Sequence, residues 1–147
     1  MSERDRFVPE VVKMLAEAGW HPGRDVRESL RLPADFELFP AAERVLSEFG
    51  NLKCGENDPG RGSARSTLRL DPSLAEGESD QFDRFSPSIG RRLYPLGEGD
   101  DGHFFVAIDD QGEVYILMDW TKFIGRTFDI ALTNLLLGGP SVEIEEA

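Results

Sequence analysis

Cysteine is nearly absent. Cys54 stands alone, so no disulfide can form within the chain and no zinc site built on several thiolates is available. Histidine occurs only twice, and His21 and His103 lie too far apart in sequence for any metal-ligand spacing. A lone histidine beside a strand, as His103 is placed, lacks the partners that acid–base catalysis requires. Cys54 likewise has no neighbouring histidine to make it a thiolate, and reads as a small core or edge residue. Long apolar runs are missing. The longest, Phe104–Ile108 and Val114–Met118, are strand-sized, far short of the roughly 20 residues that span a bilayer. The first six residues are charged and contain no secretory apolar stretch, so a cytoplasmic protein with no membrane partner is expected.

Basic residues are also scarce. The 147 residues hold 28 acids against 16 bases, a net charge of −12. The imbalance is uneven: residues 1–70 carry 12 acids and 11 bases, residues 71–147 carry 16 acids and five bases. Nucleic-acid and anionic-membrane binders attract phosphate with Lys and Arg, so a chain of this sign is not expected to bind either. Cations, basic proteins or plain solubility remain as reasons for the charge.

Catalytic motifs do not fill the gap. Gly60-Arg61-Gly62-Ser63-Ala64-Arg65 lacks the third glycine of a dinucleotide fingerprint, and neither a Walker loop nor a G-x-S-x-G elbow occurs. Acids cluster at Glu98-Gly99-Asp100-Asp101, Asp109-Asp110, Glu113 and Asp119, but not in the alternating, glycine-centred pattern of a calcium loop. No metal, no cofactor and no enzymatic activity are expected. Arg61, Arg65, Arg69, Arg91 and Arg92 read as solvated, or as partners of these acids.

What the chain has is a core and a clear order of elements. Leu, Ile, Val and Phe make up 40 of 147 residues, enough for one globular domain spanning 1–147. Phe7, Val11, Met14, Leu15 and Ala18 form an apolar stripe, predicting a helix from about Val8 to Ala18 stopped by Gly19. A short helix or turn is expected over Asp25–Leu32. Pro40 opens a second helix, with Ala42, Val45, Leu46 and Phe49 on one side and Gly50 as its cap. Weak strands at Leu52–Cys54 and Thr67–Leu70 enclose a glycine-rich loop over 55–66. Asp71–Ser79 reads as an exposed acidic loop, and Asp80–Gly90 as a short helix interrupted by Pro87.

Leu93–Leu96 is a strand. His103–Asp109 and Glu113–Asp119 form a hairpin about Asp110-Gln111-Gly112, and their near-continuous apolar content predicts strands covered on both faces or central. Arg126–Leu137 is a helix with Asp129 near its positive end, stopped at Gly138-Gly139-Pro140. The acidic tail over 141–147 is expected to be loose. The sum is an α+β fold: a central, mostly antiparallel sheet packed against N-terminal helices and a C-terminal helix.

The acids occupy the ends of the hairpin. Glu98, Asp100 and Asp101 lead into its first strand, Asp109, Asp110 and Glu113 sit at its turn, and Asp119 closes its second strand. These acids with Trp120 are the candidate partner-binding residues: a negative rim around apolar surface from Phe104, Tyr115, Trp120 and Phe123 is a protein-binding arrangement. Each aromatic can equally be core; Trp120 and Phe123, placed outside the predicted strands, are the exceptions.

Several stretches in order resemble a known family: Ala18-Gly19-Trp20-His21-Pro22-Gly23-Arg24, Ser47-Glu48-Phe49-Gly50-Asn51-Leu52, Leu93-Tyr94-Pro95-Leu96-Gly97, the Ile108–Tyr115 hairpin and the Gly125–Leu136 helix. Together they resemble the third subgroup of the SUKH superfamily of immunity proteins. That resemblance implies a sheet packed on helices. It also implies a non-catalytic role: binding the cognate toxin domain of a bacterial polymorphic toxin, often a nuclease or nucleic-acid deaminase, and occluding its active site or substrate groove. A monomer or weak dimer is expected. The wider superfamily also implies an alternative, a regulatory interaction module without a toxin. The resemblance assigns no toxin-contact residue.

Overall fold

The computed structural model describes residues 6–55, 66–138 and, by backbone alone, 142–144. Most of the expected loop over 55–66, including Arg61 and Arg65, lies outside the described residues, as do Gly139-Pro140 and tail residues 141 and 145–147.

Helix α1 (Pro9–Ala18) starts where proline permits, with its ring at the first helical position and Val8 extended before it. Val11 and Leu15 face inward. Gly19, at φ 109°, turns the chain so that the Trp20 N–H returns to Leu15 O at 2.9 Å. Only a 3-10 turn, Arg27–Ser29, forms in the region expected to be helix or turn. Helix α2 (Pro40–Phe49) buries Ala42, Leu46 and Phe49.

Helix α3 (Ser79–Ile89) tolerates Pro87 because it falls in the last turn, and it buries Phe82 and Phe85. Helix α4 (Phe128–Leu137) is capped by Thr127, whose Oγ1 accepts from Ile130 N at 3.2 Å, and ends at Gly138 in the left-handed conformation. The stretch after Asp71, expected to be an exposed loop, is instead a 3-10 turn (Pro72–Ala75) with Asp71, Pro72 and Ala75 buried. The Asp71 carboxylate holds it by accepting from Ser73 N and Ser73 Oγ.

The strands are β1 (Lys53–Cys54), β2 (Leu68–Arg69), β3 (Leu93–Gly99), β4 (Phe104–Asp109), β5 (Val114–Leu117), β6 (Thr121–Gly125) and β7 (Val142–Ile144). They form one antiparallel sheet in chain order. Two strands depart from expectation. Phe123 lies inside β6, a five-residue strand whose pairing with β5 outweighs the weak local signal of Thr121-Lys122. The tail is not loose throughout, since Val142–Phe123 and Ile144–Thr121 are in register and cover the β6 edge.

Helices α1, α2 and α4 pack on one face, against Tyr94, Leu96, Val106, Ile108, Val114 and Ile124. Helix α3 and the Pro72–Ala75 turn pack on the other, against Leu93, Ala107, Tyr115 and Leu117. Strand β4 is fourth of seven, and all four residues of β5 are buried, so the unalternating apolar pattern follows from cover on both faces.

Candidate functional site

In an antiparallel meander successive turns fall at opposite ends of the sheet. The β3–β4 turn (residues 100–103) and the β5–β6 turn (residues 118–120) therefore share one end, and the β4–β5 turn (residues 110–113) occupies the other. The eight sequence-predicted residues divide accordingly. Glu98, Asp100, Asp101, Asp119 and Trp120 lie at the first end; Asp109, Asp110 and Glu113 are at the second.

At the second end the acids are engaged. Asp109 is fully buried, and its carboxylate accepts from Gln111 N at 2.8 Å, Glu113 N at 3.0 Å and Tyr115 Oη at 2.8 Å. It fastens the hairpin turn and presents no surface to a partner. Burial first, then the Asp109 bond, drives the Tyr115 hydroxyl well above its ordinary pKa. Arg91 lies 3.8 Å from Glu113 and 3.9 Å from Asp109, and Arg92 lies 3.6 Å from Asp110. Arg92 and Asp110 also line a cleft of about 740 Å³ between α3 and the Asp35–Phe39 segment. Tyr115 and Phe123, whose ring centroids are 5.9 Å apart, belong to this α3 face of the sheet.

The first end is different. Asp100 and Asp101 both adopt positive φ (49° and 57°), a conformation that Asp tolerates better than most residues. Asp100 binds the start of β2 twice, its N–H donating to Thr67 O at 2.9 Å and its carboxylate accepting from Thr67 N at 3.0 Å. The His103 ring lies against Asp100 O. Asp101 and Asp119 are exposed; Glu98 is half-buried, facing Arg69 across the β2–β3 register. At this end a groove of about 410 Å³ is floored by Phe104, Ile116, Met118 and Trp120 and bordered by Asp100, His103 and Lys122. The Lys122 ammonium sits 4.4 Å from the centroid of the Trp120 ring.

Sequence reasoning missed Ile116, Met118 and Lys122. The signal was the strand period of two: Ile116 is in register with both Val106 and Lys122, so they share a face of the sheet. Among the described residues no group of three or more His, Cys, Asp or Glu is placed to hold a metal ion. No helix there is long and apolar enough to cross a membrane.

The motifs that carry the resemblance form a second constellation, remote from the groove in role. Trp20 Nε1 donates to Glu48 Oε2 at 3.0 Å. Arg6 donates to Glu48 at 2.8 and 3.2 Å and twice to Asp129 at 2.9 Å. Hydrogen bonding to Asp129, against the cost of burial, and then to Glu48 raises the Arg6 pKa. Arg24 donates to the end of α2, to Glu48 O at 2.6 Å and, just beyond the helix, to Gly50 O at 2.8 Å. Burial presses the Arg24 pKa downward, partly offset by Glu48.

Gly50 does not cap by left-handed geometry: its φ is −57°, and Asn51 takes the positive φ of 67°. Glycine is needed because a Cβ at 50 would meet Leu46 O at 2.5 Å and collide with Leu30. The tryptophan and arginine of the first motif thus dock onto the Glu-Phe-Gly of the second.

The family model described as SUKH-3 immunity protein matches residues 7–138. No curated protein and no solved structure matches the chain. The match runs from the residue after Arg6 to the glycine that stops α4, covering the docked motifs, the meander and both of its ends, and the chain belongs to the SUKH-3 immunity protein family.

Proposed function

We propose that this protein neutralises a cognate polymorphic-toxin domain in the cytoplasm by binding over its active site or substrate groove, without catalysis of its own. The observation that carries this reading is the concurrence of an immunity-protein family match over residues 7–138 with an apolar groove, bordered by Asp100, at the end of the sheet that also carries Glu98, Asp101 and Asp119. A nuclease or nucleic-acid deaminase is the toxin chemistry that suits it. Such an enzyme holds a polyanion in a positive groove, and an acidic inhibitor competes for that same field. Opposed fields also accelerate encounter. Glu98, Asp100, Asp101, Asp119 and Trp120 form the proposed contact surface, with Asp110 and Glu113 at the opposite end as a lesser contributor.

The test is co-expression with a candidate cognate toxin domain, sought among the genes adjacent to this one. Protection of the host, co-purification of the two proteins and loss of toxin turnover in the complex are expected. A host that dies despite full expression of both proteins overturns the proposal. Survival without a stable complex overturns the occlusion mechanism.

A further inference from the structure

The two ends of the meander differ in how their charge is met, and the difference points to the chemistry of the occupant. At the β4–β5 end Arg91 and Arg92 already stand within 4 Å of Asp109, Asp110 and Glu113. At the other end, Asp101 and Asp119 project into solvent. The cation nearest the groove floor, Lys122, is directed at an aromatic ring, Trp120. Indole is the best of the side-chain rings at holding a cation on its face, and the attraction grows as water is excluded. The groove therefore contains a working cation seat, and the protein's own lysine occupies it.

We propose that this seat is the specificity element of the toxin-binding surface: an arginine of the toxin, flanked by an apolar residue, displaces Lys122 from Trp120 on binding. This rests on the immunity reading above and deepens it. Three features favour arginine. Its flat guanidinium stacks on a ring, which a compact ammonium cannot do, and it is less strongly hydrated, so an incoming arginine competes well with the resident lysine. Its five donors suit a seat bordered by Asp100, at the end of the sheet that also carries the exposed Asp101 and Asp119. Phe104, Ile116 and Met118 continue the floor and accept the neighbouring apolar side chain; Met118 in particular adapts to irregular shapes.

Lys122 is half-buried on a flexible four-carbon stem and can leave without disturbing the β5–β6 register, which is held by backbone bonds. In the free protein the lysine covers one face of the ring. A partner without a cation would have to dislodge it with nothing to replace it, so the resident lysine discriminates against such partners.

The probe is a short peptide alternating arginine and leucine, compared with the same peptide carrying citrulline, which keeps the shape and loses the charge. Binding is followed by NMR through the indole N–H signals. Trp120 is half-exposed, whereas Trp20 is buried and bonded to Glu48, so the two signals separate. The arginine peptide is expected to shift the Trp120 signal saturably and the citrulline peptide to leave it in place. Lys122→Met should tighten arginine-peptide binding about three- to tenfold.

Lys53→Met removes the same charge at the same end, beside Glu98 and Asp101 but off the ring, and should change affinity less than about twofold. Equal effects of the two lysine changes, equal binding of both peptides, or shifts confined to the Asp110–Arg92 end overturn the exchange. The immunity reading fails separately, through the survival test. A wild-type protein that protects the host while Trp120→Leu binds toxin equally well overturns the exchange and leaves immunity standing.

Discussion

The Trp20 indole N–H donates to the Glu48 carboxylate at 3.0 Å while its ring lies parallel to that of Phe49, the next residue, with centroids 6.3 Å apart. Two segments separated by 28 residues in sequence are thereby locked at one point, and Arg6 extends the lock to Asp129 at the start of α4. Glu48→Ala should cost about 2–3 kcal/mol, since it strips a charged acceptor from both Trp20 and Arg6. Trp20→Phe keeps the ring contact and should cost about 1 kcal/mol for the lost bond. Urea unfolding midpoints of the two variants give this order directly.

Asp109 and Asp110 are neighbours with different tasks. Asp109→Ala leaves the Gln111 and Glu113 amides and the Tyr115 hydroxyl without their acceptor and should cost roughly 3 kcal/mol. Asp110→Ala removes a loose 3.6 Å pair to Arg92 and should stay within about 0.5 kcal/mol of the parent. Thermal unfolding of both variants provides the comparison, and equal losses would refute the division.

Gly97, in the Tyr-Pro-Leu-Gly stretch, lies where β3 bulges in its ladder with β4, and its open side faces β2. A Cβ there would run into the Arg69 carbonyl oxygen and come within 2.8 Å of the Leu70 Cα. Backbone on both sides leaves little room to yield, so Gly97→Ala should cost at least about 2–3 kcal/mol. An unchanged melting temperature would show that the β2–β3 approach is looser than these distances.

Stability should fall in alkali. Burial pushes the Cys54 thiol from 9.0 to about 11 and the Tyr94 hydroxyl from 10.0 to about 12. Tyr115 is displaced upward as well, by burial and then by Asp109. Each group keeps its proton longer when folded, so above pH 9 the unfolded chain binds fewer protons and stability declines as pH rises. The contribution is complete below the unfolded values and is lost on approach to the folded ones. Cys54→Ala should delay the onset by about one pH unit, to where tyrosine begins to ionise. Urea titrations across this pH range measure the shift.

For association, Glu98→Gln, Asp101→Asn and Asp119→Asn together should slow toxin binding several-fold at low salt, and the difference should shrink at physiological salt. Asparagine at 101 preserves tolerance of the positive φ of 57°. Asp110→Asn with Glu113→Gln should slow it less, because Arg91 and Arg92 already offset those acids. Stopped-flow rates at several salt concentrations decide it; a salt-independent rate defeats the acidic-decoy mechanism.

Much of this architecture was legible in the residues because it is set locally. Pro9 and Pro40 can open helices but not sit within them, Gly19 and Gly138 stop helices by adopting the left-handed conformation, and Asp110-Gln111-Gly112 closes a hairpin. Strand β6 and the β7 pairing were not legible, because each becomes a strand only through the ladder formed with its neighbour. The site shows the same boundary. Composition and spacing placed an acidic excess around the hairpin and picked out Trp120. The meander then assigned those acids to opposite ends of the sheet, buried Asp109 to hold a turn, and brought Lys122 over the Trp120 ring. A chain's charge is a sum over residues, whereas its field and its contacts depend on which side chains share a face, and that is decided by strand order and register.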